Sequence, residues 1–133
     1  MANPNIVGVT SIYGNTAYVT PSGTSATTSW TYNGTTSLTG LTPAANTVNR
    51  VTGIVVSNST ASAVNATVAI SNNATFGSGT AYNIAYQISV PANASLIVTD
   101  KTTSFYVTEN QSVGVTSSTG SALTFVATFE AIT

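Results

Sequence analysis

Toward its end the chain places Leu123, Phe125, Ala127 and Phe129 in one phase of a two-residue period, and Thr124, Val126, Thr128 and Glu130 in the other. Successive side chains of extended backbone point to opposite faces, so this pattern describes a strand with one buried face. The same period recurs upstream. Ile84, Tyr86, Ile88 and Val90 alternate with Ala85, Gln87 and Ser89 until Pro91-Ala92-Asn93 breaks the run. Leu96, Ile97 and Val98 follow, then a turn at Asp100-Lys101, then Phe105 and Val107, a turn at Glu109-Asn110, Val113 and Val115, and a turn over Ser117-Ser118-Thr119-Gly120. Strands at about nine-residue spacing, joined by short turns, predict an all-β antiparallel sandwich or jelly roll in a single domain over residues 1–133. The expected core is Ile88, Val90, Leu96, Val98, Phe105, Val107, Val113, Val115, Phe125 and Phe129.

The first half is less regular. Ile6 to Ile12 reads as a strand closed by Gly14-Asn15, and Ala17 to Thr20 as a short one stopped by Pro21. Residues 1–14 are expected to be either an N-terminal arm or an edge strand. Residues 22–46 form a Ser/Thr-rich stretch holding Trp30, Tyr32, Leu38 and Leu41, expected to be a long loop with a short strand or two inside it. Val51, Gly53 and Val55, with Ile54 and Val56 opposed, predict a strand buried on both faces, and Val64, Ala66, Val68 and Ile70 predict the next. No segment carries a 3.6-residue period, so no helix beyond a turn or two is expected.

Charge is nearly absent. The basic residues are Arg50 and Lys101 and the acidic ones Asp100, Glu109 and Glu130, 4% of the chain where about a quarter is usual. With 17 Ser and 26 Thr, disorder must be considered, but disordered chains pair low hydrophobicity with high net charge. Here 42% of residues are hydrophobic and the net charge is −1, so the chain is expected to fold.

The same composition narrows function. Without a Lys/Arg cluster there is no counterion-release term to hold nucleic acid or an anionic membrane, so neither is an expected partner. No apolar run approaches the ~20 residues that span a bilayer, and no basic segment followed by an apolar one marks a secretory signal. The chain has no His and no Cys, which removes the commonest general base, the commonest metal ligand and the thiol nucleophile. Asp100 and Glu109 fall in expected turns and Glu130 on the outer phase of the last strand, positions suited to solubilising charges rather than a carboxylate pair. The chain is expected not to be an enzyme, and to use no cofactor or metal. Six Asn-x-Ser/Thr sequons, at Asn33, Asn58, Asn65, Asn73, Asn93 and Asn110, are close to the number that 13 Asn would give by chance in so Ser/Thr-rich a chain.

A soluble all-β monomer normally guards its sheet edges with charge or proline, and this sequence has few such devices. The expectation is a protein whose edges and faces are covered by neighbours, chiefly copies of itself. The interface candidates are Ile6, Val7 and Val9 as apolar anchors of the N-terminal segment, Trp30 and Tyr32, and Arg50 as an ion-pair partner for Glu130 or Asp100. Trp30 and Tyr32, with Tyr13 and Tyr18, are also weighed as a sugar-stacking platform, although core or subunit-interface packing is the more frequent fate of such residues.

The segment from Met1-Ala2-Asn3-Pro4-Asn5-Ile6-Val7 through Ser11-Ile12-Tyr13-Gly14-Asn15-Thr16 resembles small virion proteins of tailed phages, especially those infecting cyanobacteria. So do Ile88 to Val98 and Phe105 to Val115, which bring the resemblance to about a third of the chain. The resemblance implies a capsid decoration (cement) protein on the virion head surface, bound to the major capsid protein as a homo-oligomer, expected to be a trimer. A neck or tail-fibre component, or a host-glycan-binding adhesion module, is the alternative.

Overall fold

The computed structural model of the protein describes residues 8–133. Ten strands follow one another: β1 (Ile12–Val19), β2 (Ser29–Tyr32), β3 (Thr36–Thr39), β4 (Val48–Asn58), β5 (Val64–Ser71), β6 (Ala81–Val90), β7 (Ser95–Thr99), β8 (Phe105–Val107), β9 (Ser112–Ser117) and β10 (Leu123–Ile132). They form two antiparallel sheets. The large sheet runs β3-β2-β1-β10-β4-β7, with β8 also pairing β4, and the small one runs β6-β5-β9. Single 3-10 turns at Phe76–Ser78 and Lys101–Thr103 join strands, and no α-helix occurs among the described residues. The architecture is the all-β sandwich that the alternation predicts.

The inner faces share one core. Ala17, Val19, Trp30, Val51, Ile54, Val56, Phe125, Ala127 and Phe129 from the large sheet pack with Val64, Ala66, Val68, Val90, Val113 and Val115 from the small one. β4 reaches this arrangement through a bulge. Val51 pairs with Phe129 and Gly53 with Thr128, so Thr52 is an extra residue that resets the strand's phase. Val51 and Ile54, three apart, therefore both face inward, while Val55 turns out. The expectation of burial on both faces of β4 is corrected: one face is core and Val55 is exposed.

β6 is the larger departure. Ile84, Tyr86 and Ile88 were expected on a buried face, yet of the residues 81–90 only Val90 is buried, and Ile88 is 41% exposed. The alternation that composition suggests is interrupted by the pairing with β5. β6 carries extra residues between its pairings Ala66↔Ile88 and Val68↔Ala85, and again before Ala69↔Asn83. Gln87 adopts a left-handed φ of 49° inside the first of these bulges. Two bulges on an edge strand break the alternation, and neither phase of residues 81–89 is buried. Leu96, Val98 and Phe105, also expected in the core, are half-buried against it.

At the N-terminal end, Gly14-Asn15 is not a turn. β1 runs through it, held by an unbroken ladder to β10 from Ile12↔Ile132 to Val19↔Phe125. β2 meets β1 only at Ala17 and Tyr18, so residues 12–14 have a strand neighbour on one side alone, as an edge would. Segment 22–46 does contain two short strands, β2 and β3, joined at Asn33-Gly34, both with positive φ.

The far edge of the small sheet is closed by this same segment. Thr27 bridges Val115, with N···O distances of 2.8 and 3.0 Å, and Val113 N donates to Gly40 O at 2.6 Å. The backbones approach so closely that a Cβ on Gly40, already at φ 64°, would lie 2.5 Å from Ser112 Cβ. Trp30, fully buried, donates its indole Nε1–H to Val113 O at 3.2 Å across the sandwich.

Phe125→Ala should therefore cost about 3–5 kcal/mol in urea unfolding of the isolated chain, and Ile88→Ala no more than about 0.5–1 kcal/mol. Equal losses would show that β6 is buried after all.

Candidate interaction surface

The antiparallel registers align one outward residue per strand into a row across the outer face of the large sheet. Thr31 pairs with Tyr18, Tyr18 with Val126, Val126 with Val55, and Val55 with Ile97. Four of these are apolar or aromatic and exposed: Tyr18 41%, Val126 36%, Val55 39% and Ile97 67%. With strands ~4.8 Å apart, the row from β1 to β7 is ~14 Å long. On one side it is flanked by hydroxyls, Thr124 opposite Ser57 and Ser57 opposite Ser95, with Thr20 Oγ1 2.9 Å from Thr124 Oγ1. On the other, Thr16 faces Thr128. This face is apolar at its centre and uncharged around it.

Two rows further along lies the ion pair. Arg50 pairs directly with Glu130, and Arg50 Nη1 stands 3.7 Å from Glu130 Oε2, each side chain 35% exposed. Arg50 Nη2 also donates to Ser104 Oγ at 3.3 Å. The two residues singled out as interface partners thus satisfy each other within one chain. A half-exposed pair of this kind contributes only ~0.2–1 kcal/mol.

The remaining candidates are dispersed. Ile6 and Val7 lie outside the described residues, and Val9 is half-buried ahead of β1. Trp30 is in the core, which corrects both the interface and the sugar-platform readings for that residue: a ring without solvent contact can stack on nothing outside the chain. Tyr32 packs edge-on against Phe129 with centroids 6.3 Å apart. Together with Leu38, Asn15 and Asn49 they line a cavity of about 260 Å³ at the end of the large sheet. Tyr13 and Tyr18 are exposed, but Tyr18 belongs to the apolar row. What the sequence reading passed over was Val55, Val126 and Ile97. They share no motif, and only the strand registers bring them together.

The acids serve local structure. Asp100 caps the 3-10 turn: its Oδ1 accepts from Thr102 Oγ1 at 2.6 Å and from Thr102 N at 2.9 Å. These bonds, the hydroxyl's foremost, hold its carboxyl below the ordinary carboxylate value. Among the described residues no group of three or more His, Cys, Asp or Glu comes together that could hold a metal ion, and no helix is long and apolar enough to cross a membrane.

Compared with known proteins, the chain matches no family model, no curated protein and no solved structure.

Because the folded carboxyl of Asp100 titrates lower than the unfolded one, the cap's contribution is present above the unfolded pKa and disappears as pH falls through the folded value. Carbon-detected NMR titration should find Asp100 below the ordinary carboxylate range, and Thr102→Val should move it back up. An unmoved titration in that variant would mean the hydroxyl is not the cause.

Proposed function

We propose that the chain is a virion structural protein of a tailed phage, a decoration (cement) protein that packs between capsomers on the head surface and associates with copies of itself as a trimer. The observation that carries this reading is the exposed apolar row Tyr18, Val126, Val55 and Ile97 on a sheet face where the Arg50–Glu130 pair lies two rows away. Contiguous apolar surface of this kind marks protein contact sites on soluble proteins. The likeness of residues 1–16, 88–98 and 105–115 to small phage virion proteins supplies the setting.

The energetics of such attachment follow from the composition. No charged residue occurs between Arg50 and Asp100, so ionic steering contributes little and apolar burial must contribute most. Shell packing suits that balance, since an apolar contact persists through changes of salt that would loosen an ionic one. A head offers local threefold positions, and a closed ring covers edges that open stacking would leave exposed.

Copy number in purified particles tests the placement. Hundreds of copies per particle are expected for a head protein, whereas about six or twelve would assign the chain to the neck or tail. For the surface itself, Val126→Lys and Ile97→Lys should each lower affinity for stripped heads at least about tenfold, while thermal unfolding stays within roughly 0.5 kcal/mol of wild type. Attachment should change little between about 0.05 and 1 M NaCl. Release at high salt, or full attachment of both lysine variants, would sink this reading.

A further inference from the structure

The outer face of the small sheet, on the opposite side of the sandwich from the apolar row, has a different chemistry. There a cleft of about 220 Å³ is lined entirely by neutral hydrogen-bonding residues. β5 supplies Asn65 and Thr67, β6 supplies Gln87, β9 supplies Thr116 and Ser117, Ser118 follows β9, and Thr24 forms a wall from the loop before β2. We propose that this cleft binds a neutral carbohydrate, taking one sugar ring of a longer glycan. This goes beyond the structural role proposed above and rests on different residues.

The first argument is the chemistry of the lining. Side-chain amides and hydroxyls offer donors and acceptors side by side, which is what the hydroxyls of a sugar require, each being donor and acceptor at once. No lining residue is charged, so an anion or cation would lose its water without gaining a counter-charge. None is a large apolar residue, so a lipid or aromatic ligand would have nothing to pack against. A neutral polyol is the ligand class that remains.

The second argument is that the polar groups are free. Among the described residues, no hydrogen bond within the chain engages the side-chain amides of Asn65 and Gln87 or the hydroxyls of Thr24 and Thr116. The other hydroxyls hold the frame. Thr67 Oγ1 accepts from Gln87 N at 3.0 Å, Ser118 Oγ accepts from Asn65 N at 2.9 Å, and Ser117 Oγ is engaged with the Thr119 backbone. In accepting these bonds, Thr67 and Ser118 keep their own O–H free to donate.

The third is that the cleft is built in advance. Gln87 lies in the left-handed region, φ 49°, which suits Gly or Asn better than a long side chain. The Thr67 hydroxyl holds it there, within the bulge that brings Gln87 to the cleft. The wall is pinned on both sides of Thr24. Ser121 N donates to Pro21 O at 2.7 Å, and Thr27 bridges Val115. Behind it, a Cβ on Gly120 would lie 2.4 Å from Ser22 O, so the loop rests directly on that glycine. Preorganised polar groups cost less to order on binding.

The test is amide-resolved NMR titration of the full chain with neutral tetrasaccharides of glucose (α- and β-linked), mannose and N-acetylglucosamine, with a sulfated heparin tetrasaccharide as the charged comparison. At least one neutral probe should shift the Asn65 and Gln87 side-chain amides saturably, near the millimolar range (about 1 mM) expected of a single-ring site, with no change at about 1 M NaCl. Gln87→Gly suits the left-handed backbone and removes only the side chain, and Asn65→Ala removes the second free amide. Each should weaken binding at least about tenfold while the spectrum stays dispersed. The proposal is overturned if no neutral probe moves these amides, if the heparin fragment binds more tightly, or if both folded variants bind as wild type does.

Discussion

β10 sits between β1 and β4 and is paired on both sides over almost its whole length. The chain has no cysteine for a disulfide and very little charge for ion pairs, so this doubly paired strand is what the remaining structure is built upon. Its inward residues Leu123, Phe125, Ala127 and Phe129 supply the largest continuous contribution to the core. Its outward residues fix the exposed surface equally firmly. Val126 aligns Tyr18 with Val55, and Glu130 meets Arg50, because a ladder that sets the buried register sets the exposed one too.

The small sheet is secured differently. Its β9 edge is tied to the large sheet through Thr27, Gly40 and the Trp30 indole, where main-chain bonds and a buried donor act at the same few ångströms. Its β6 edge has no such partner among the described residues. The bulges there serve two ends: they roughen an edge that would otherwise invite pairing with another chain, and they bring Gln87 to the cleft. The strain at Gln87 is tolerable because the Thr67 hydroxyl and the two flanking pairings over-determine its backbone.

A division of labour between the two outer faces follows from this construction. The large sheet presents a flat face with an apolar centre, suited to a protein neighbour. The small sheet presents a concave polar one, suited to a hydrated ligand. Since the two faces lie on opposite sides of the sandwich, a molecule attached to a shell through the first would carry the second outward. On the two proposed readings, the near absence of charge leaves attachment to apolar burial on one face and ligand contact to neutral hydrogen bonds on the other.

Local alternation was enough to determine the fold class, the strands β7 to β10 and the burial of Val90, Val107, Val113, Val115, Phe125 and Phe129, because burial on one face imposes a two-residue period that no distant contact is needed to read. The Asn33-Gly34 pair closes the β2–β3 hairpin with two successive positive φ angles, a signal that the expectation of a long loop over 22–46 left unused. The composition fixed the scarcity of ionisable chemistry. Tertiary structure alone decided the rest. Bulges at Thr52 and Gln87 reset the phase of β4 and β6, and a bulge is a relation between two strands that neither sequence states by itself. Trp30 had a packed and an exposed reading, the packed one favoured, and only β9 laid across it placed it in the core. Arg50 and Glu130 are distant in the chain and opposite in the sheet, and the row from Tyr18 to Ile97 joins four strands with no shared motif. Period is a property of one segment and register a property of two, which is why the core of the regular C-terminal strands was legible in the sequence and the surfaces were not.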